Sequence, residues 1–526
     1  KLQLIAGEIH LKKKRIEAKN IELREAAILL EPGENVQPDT VPSQPTDWTF
    51  SVGEIDLGQI RFNMKSAAMP YLGAGIGEGR ITQGTVSLGG QTVDVGGITI
   101  DQAWCDLKTG NTSKDSLPAS PEVVAGADTA KSLWTVKAGT LWMKNSAFSL
   151  ASDGQEQASV VLSGIAVRID SVYNRGTVVR ADLRDLQAVQ KNGIEVQQMQ
   201  ADVDLDTTRT SLGKVYIHTR NSRLNMDIRS NSDLSGLMDK APLNVTLEAQ
   251  VGLADIEPFY RELPRQIKNR TVDVKATCAV GSDRVEVSRF AVSMPGNLDV
   301  TANGKLSSFR DLKKISGEFR IQGVFSDITF LNDFLKGGGV NVPRNLNFTA
   351  DLKALEGIMD FSGRLCQGNG CLLLEANYNL PAEIYNATLA LNDFPLNCFL
   401  PADSLGSVNA DLRLAGRGLD WRKAEAEITA GIRGFEYKRH IYENIRLEAA
   451  AHQTHLKGKL ESADSAAKFN LAFRADSVEN RYEAELKGQV ANVDFKKLNL
   501  MPHRLAIGLG IDIRVAQGDG DVYALN

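Results

Sequence analysis

The chain has 526 residues, a net charge of −5 and a hydrophobic content of 42%. That length exceeds one ordinary core, so several domains or a repeat array are expected; the near-balanced charge speaks against a nucleic-acid partner, which needs a strongly basic face. No apolar run reaches the ~18 residues of a spanning helix, and no secretory leader is visible. The alternating pattern already runs at Lys1 ("KLQLIAGEIHL"), so an N-terminal anchor is expected ahead of it.

In chain order, period two dominates from the first residue. "KLQLIAGEIHLKKKRIEAKNIELREAAILLE" supplies three short alternating runs. In "WTFSVGEIDLGQIRFNM", Trp48, Phe50 and Val52 share a face, and after Gly53 the parity passes to Ile55 and Leu57, as at a bulge. Residues 31–47, with four prolines, and the small, polar stretch 111–130 read as long exposed loops or partly disordered inserts. Each is followed by a Trp-led strand, at Trp48 and at Trp134, which reads as an N-terminal repeat. We therefore divide the chain into segments 1–130, 131–250 and 251–526.

From residue 251 four marker segments recur. In each, Asp255, Asp327, Asp393 or Asp494 leads into a helical piece, over 257–268, 328–338, 394–406 and 495–506. A proline follows (Pro264, Pro343, Pro401, Pro502), and then an alternating strand. The acid suits helix capping, since its side chain accepts orphan amide protons. Successive markers stand 72, 66 and 101 residues apart, which suits hairpins of variable number between fixed segments better than a regular solenoid. A second phrase, apolar-x-Gly-x-apolar, appears at Gly304, Gly363, Gly458 and Gly488; glycine inside a strand marks a bulge, bend or close approach. Turn residues at short intervals and few prolines inside the runs read as an all-β protein, a curved antiparallel sheet of repeated hairpins with a few short helices.

Catalytic and metal signatures are sparse. His452 and His455 in "HQTH" fall at an odd separation, which on one strand points them to opposite faces. "YLGAGIGEGR" (71–80) lacks dinucleotide or phosphate-loop spacing and reads as a closely packed or flexible strand. There is no nucleophile elbow and no His-Glu-x-x-His helix. No catalytic residue, metal ligand or cofactor is assigned, and the chain reads as non-enzymatic. The five cysteines (Cys105, Cys278, Cys366, Cys371, Cys398) follow no zinc spacing. Cys366 and Cys371 flank the hairpin turn "QGNG" and either pair in an oxidising compartment or remain two packed thiols.

The marker segments, the glycine phrase and the repeated strand Asp-apolar-Arg-apolar ("NADLRLAG" at 409–416, "GIDIRVAQ" at 510–517) together resemble the AsmA/TamB family of Gram-negative envelope proteins. The likeness covers most of the chain and is densest over 250–526; the Trp-led N-terminal strands are similar to TamB-like proteins of the Bacteroidetes type. The resemblance implies an elongated, taco-like β-groove lined with apolar side chains, related to bridge-like lipid-transfer proteins. It also implies a periplasmic location, an inner-membrane anchor, and passage of phospholipid between inner and outer membranes. A further partner that the resemblance implies is an outer-membrane β-barrel protein, through an assembly-factor role. Elementary chemistry agrees, because a long alternating sheet without covering helices must curl on itself or offer its apolar face to a ligand. On that reading the acyl chain meets Val408, Leu412, Leu414, Leu456, Leu460, Ile511, Ile513 and Val515. The alternatives are a closed sandwich core built from those residues, a client-binding scaffold working through sheet edges, and a structural envelope β protein.

Overall fold

The computed structural model of the chain describes residues 2–30, 47–64, 71–109, 134–152, 160–191, 193–260, 262–335, 339–401, 404–420, 423–478, 481–517 and 523–525. The loops read at 31–47 and 111–130 thus lie almost wholly outside the described residues. The fold is all-β, with a few short helices. It divides into two compact units, Lys1–Leu263 with Lys268–Thr271 and Pro264–Ile267 with Val272–Asn526.

The strands form because alternation gives each one apolar and one wet side. Over Leu298–Ser307, half-buried Leu298, Val300, Ala302, Gly304 and Leu306 interleave with exposed Asp299, Thr301, Asn303 and Lys305.

The first unit runs β1 (Leu2–His10), β2 (Arg15–Arg24), β3 (Ala27–Leu30), β4 (Thr49–Met64), β5 (Tyr71–Ser87), β6 (Thr92–Asp101) and β7 (Trp104–Thr109). It continues with β8 (Thr135–Ser152), β9 (Val160–Arg175), β10 (Val178–Gln190), β11 (Glu195–Leu205), β12 (Thr210–Thr219), β13 (Arg223–Ser230) and β14 (Leu243–Gly252). Two places depart from antiparallel pairing. β2 and β3 lie end to end along β4 in parallel, and β6 and β7 lie the same way along β8. The breaks are built alike. Glu25 and Gln102 take φ of 55° and 57°. Around them Glu25 N–H donates to Gly58 O and Arg61 N–H to Ala26 O, while Gln102 N–H donates to Lys144 O and Ala147 N–H to Ala103 O. The two Trp-led strands are therefore the long partners of two equivalent broken strands. Parallel partners need a crossover rather than a hairpin, which is why a long insert precedes each of them. At Gly53 no residue is inserted as at a bulge: Val52 pairs Gly84 and Glu54 pairs Thr82 in unbroken register, with Gln83 opposite Gly53 at φ 54°. A side chain at Gly53 would meet Lys19 O at 2.7 Å. The glycine-rich stretch of β5 packs closely, and Gly75 lies against the Trp104 indole with no room for a Cβ.

The second unit is an antiparallel ladder in strict chain order. Its first half is β15 (Thr271–Val280), β16 (Arg284–Met294), β17 (Leu298–Ser307), β18 (Ser316–Phe325), β19 (Leu346–Leu355), β20 (Ile358–Gln367), β21 (Gly370–Asn379) and β22 (Ile384–Pro395). β23 (Leu405–Arg417), β24 (Glu425–Tyr437), β25 (His440–His452), β26 (His455–Ala463), β27 (Ala467–Val478), β28 (Arg481–Asp494), β29 (Ala506–Gln517) and β30 (Tyr523–Leu525) complete it.

The helical expectations are only partly met. Residues 328–338 hold a 3₁₀ turn (Thr329–Leu331) and α1 (Asn332–Leu335), and 394–406 hold α2 (Leu396–Phe399). Among the described residues, 257–268 and 495–505 hold turns and bends, not helices. Their apolar spacing serves packing onto a sheet end: buried Ile267 and Leu498 point inward without an α-helical backbone. No helix among the described residues is long and apolar enough to cross a membrane.

Candidate functional site

Register places the candidate residues. In an antiparallel pair, directly opposite residues share a face, so a line of partners can be followed from strand to strand. One such line reads Ala276–Phe290–Ala302–Ile321–Ala350–Gly363–Leu374–Leu389 through β15 to β22. It continues Leu412–Ala430–Leu447–Leu460–Leu471–Gly488–Ile511 through β23 to β29. Every residue in it is apolar or glycine. The neighbouring line, two residues along each strand, carries Phe319, Leu352, Phe361, Leu414, Ile428, Phe473, Leu486 and Ile513. A third, in β25 to β29, links Ala451, Leu456, Ala475, Ala484 and Val515. Seven of the eight expected contact residues therefore fall on one face, in three adjacent rows.

Val408 is the exception. It shares the parity of Leu412 on β23, but lies outside the three rows, past the irregularities between Leu391 and Phe394 on β22 and opposite Asn409 and Ala410 on β24. It is buried against Phe394, whose ring stacks on Phe399 of α2 at 5.1 Å.

Burial separates an open face from a sealed one. Along the first row none of the residues is buried: Phe290 is exposed and the others are half-buried, shielded by neighbours across the strands. A closed sandwich would take these side chains out of water. At β29 the face opens further, with Ile513 41% exposed and Leu456 nearby at 39%. Glycine within the rows makes room for rings. A Cβ on Gly458 would meet Glu448 O at 2.6 Å and would strike the ring of Phe473, its partner across the ladder.

The opposite face is charged and wet. Asp411, Arg413, Asp512 and Arg514 are exposed. Arg433 pairs with Asp411, Arg320 with Asp351, Arg514 with Glu485 at 2.8 Å, and Arg446 with Glu448 at 2.6 Å. A depression of about 680 Å³ is lined mainly from this side, by Asp351, Lys353, Asp360, Glu375, Arg413 and Glu427, with Phe361 and Leu414 of the second row also in its wall. It is a solvent-facing dip between long, alternately charged side chains, and we assign the candidate site to the apolar rows instead.

One margin of this sheet carries nearly all of its fully buried residues. Connections that follow even-numbered strands all fall at the same margin, and there lie Ile328, Leu346, Phe394, Ala466, Ala467 and Leu498. Leu498 packs with Ala466 and Ala467 beside Tyr442, Phe469 and Val493. The connections after β18 and after β22 are tied together, as Asn341 N–H donates to Phe399 O at 2.8 Å.

The marker aspartates divide by role. Asp494 accepts the N–H groups of Lys496 (3.2 Å) and Lys497 (3.1 Å), and Asp327 accepts that of Thr329 (3.1 Å), so both fix the start of a turn; no helix follows Asp494, and the N-cap of the 3₁₀ turn is Ile328. Asp255 instead takes side-chain donors from Thr219, Asn221 and Ser222, and Asp393 takes the Asn409 amide at 2.7 Å. Sequence reading missed Asp464, which is buried and accepts from Glu443, Ala466 and Ala467 at 3.0, 2.7 and 3.1 Å. Burial alone pushes its carboxyl upward. The N–H donors from Ala466, Glu443 and Ala467, with His440 beside them, outweigh that and hold it below the ordinary aspartate range.

The histidines need a correction. Gln453 and Thr454 form the turn between β25 and β26, so His452 and His455 are register partners on one face, not residues of one strand on two. Each takes its own carboxylate, His452 with Glu425 at 3.0 Å and His455 with Asp476 at 2.5 Å. Among the described residues no group of three or more histidine, cysteine or acidic side chains is arranged to hold a metal. Cys366 and Cys371, partners across the β20–β21 hairpin, are joined as a disulfide with Cα atoms 4.2 Å apart, and Arg364 Nε donates to Cys366 Sγ at 3.1 Å.

Compared with family models, with curated proteins and with solved structures, the chain matches none.

Proposed function

We propose that the protein is a non-enzymatic lipid conduit, carrying phospholipid along the apolar face of its β-sheet between the inner and outer membranes of a cell envelope. The observation that carries this reading is the apolar row running unbroken from Ala276 on β15 to Ile511 on β29 while staying out of full burial. An acyl chain laid there recovers ~0.8 kcal/mol per buried methylene, so some fourteen methylenes give on the order of 11 kcal/mol. Apolar contact is non-directional, and one row segment resembles the next, so no position holds the chain much better than its neighbour. Sliding then costs little. The polar headgroup stays at the wet side of the trough, so no specific polar pocket is required. The cross-strand disulfide suits an oxidising compartment such as the periplasm.

A photo-crosslinking amino acid placed at Leu447, in the middle of the row, tests this directly. Crosslinked phospholipid is expected from cells, and none when the same probe replaces the wet-face Glu448. Equal crosslinking at both positions, or at neither, removes the proposal.

A further inference from the structure

We propose that the loop between β28 and β29, residues 495–505, is a docking surface for an anionic lipid bilayer. It does not depend on the apolar rows carrying lipid, because it rests on different residues at the margin of the sheet.

The base of the loop is fixed. Leu498 is 2% exposed in the cluster with Ala466 and Ala467. Asp494 caps Lys496 and Lys497 through their N–H groups. Phe495 N–H donates to Leu505 O and Leu500 N–H to Phe495 O, both at 2.9 Å, which closes the loop on itself. Asn499 Nδ2 reaches Lys438 O at 2.9 Å on the β24–β25 turn.

From this base the tip points outward. Leu500, Met501 and Leu505 are 38%, 45% and 42% exposed. Each could have been polar at no cost to the buried cluster, and clustered exposed apolar side chains mark an interaction site.

The charge around the tip names the partner. Residues 495–506 contain the cations Lys496, Lys497 and Arg504 and no carboxylate, in a chain whose net charge is −5. Among the described residues none of these three makes an ion pair. The hairpin bonded by Asn499 adds exposed Lys438 and Arg439. Apolar side chains ringed by unpaired cations match a bilayer interface, where the apolar groups enter the acyl boundary and the cations meet lipid phosphates. A protein partner would need a flat patch near 800 Å² on each side. A protruding turn of eleven residues suits insertion better.

The experiment is sedimentation of the full chain with vesicles of phosphatidylglycerol and phosphatidylcholine in equal parts, beside vesicles of phosphatidylcholine alone. Binding to the anionic vesicles is expected, weakening as salt is raised. Each cation near such a surface is worth about fivefold in partitioning, so the K496E/K497E/R504E variant should bind at least a hundredfold more weakly. L500S/M501S/L505S should also lose binding, with unchanged circular dichroism. A separate M501W variant should shift its added emission to the blue on anionic vesicles only; this readout stands even if a triple variant proves unstable. Absent binding, equal binding to neutral vesicles, undiminished binding by either folded variant, or an unshifted emission from M501W would each overturn the assignment.

Discussion

Two regions of the second unit's sheet are built from the same kind of side chain and treat it differently. On the broad face, leucine, isoleucine and phenylalanine stand in rows and stay half in water. At the margin where even-numbered strands end, similar residues are covered by the connecting segments and lose their exposure, as Phe394, Val408 and Leu498 do. The contrast teaches where each task lies. Burial is concentrated at the sealed margin, and the open face is the one we propose for lipid.

The largest expected effect breaks the face alone. Replacing Leu412 and Ile513 together by glutamate sets charge into two adjacent rows, and retained phospholipid should fall at least tenfold in lipid extracts of the purified protein. Neither position is buried, so the thermal midpoint should move little. The reverse experiment breaks the margin. Leu498→Ala empties a buried position and should cost about 2–5 kcal/mol in denaturant unfolding, with lipid retention unchanged under native conditions.

Asp464 sharpens the same margin through pH. Its folded carboxyl lies below the ordinary range, set by burial acting upward and by three N–H donors and His440 acting downward more strongly. A depressed acid contributes stability that is fully present above its unfolded pKa, about 3.9. That contribution is lost as pH falls through the lower folded value. Stability should therefore drop below about pH 4 in the parent and less steeply in Asp464→Asn, which unfolding midpoints across that range would show. The disulfide comes next. A short closed loop implies ~2 kcal/mol from chain entropy, so Cys366→Ser should lose about that much in unfolding experiments. Denatured, unreduced protein should titrate three thiols, Cys105, Cys278 and Cys398. The smallest effect belongs to the wet face, where Arg413→Glu with Arg514→Glu should leave stability within about 0.5 kcal/mol and lipid retention unaltered.

Much of this was legible in the sequence because period-two parity is local. Leu412 and Leu414, or Ile511 and Ile513, can be assigned to one side of their strand without any partner. Joining strands into rows requires register, which is set by turns and bulges, and here the reading failed at the His452/His455 hairpin; at Val408 the parity was legible but the burial against Phe394 was not. The parallel pairings of β4 and β8 were hidden because the sequence shows a crossover only as an insert. The segments 257–268 and 495–506 carried helix-like spacing because a side chain that must reach under a sheet margin, such as Leu498, mimics an amphipathic pattern over one turn. Asp464 belongs to no repeated phrase, and only its burial and three backbone donors reveal it.

The central claim is that the open apolar face holds lipid, and mass spectrometry of lipids retained by the purified chain tests it most directly. Phospholipid should accompany the parent protein and Arg413→Glu/Arg514→Glu, and be lost from Leu412→Glu/Ile513→Glu. A lipid-free parent, or undiminished lipid in the double-glutamate variant of the rows, would contradict it.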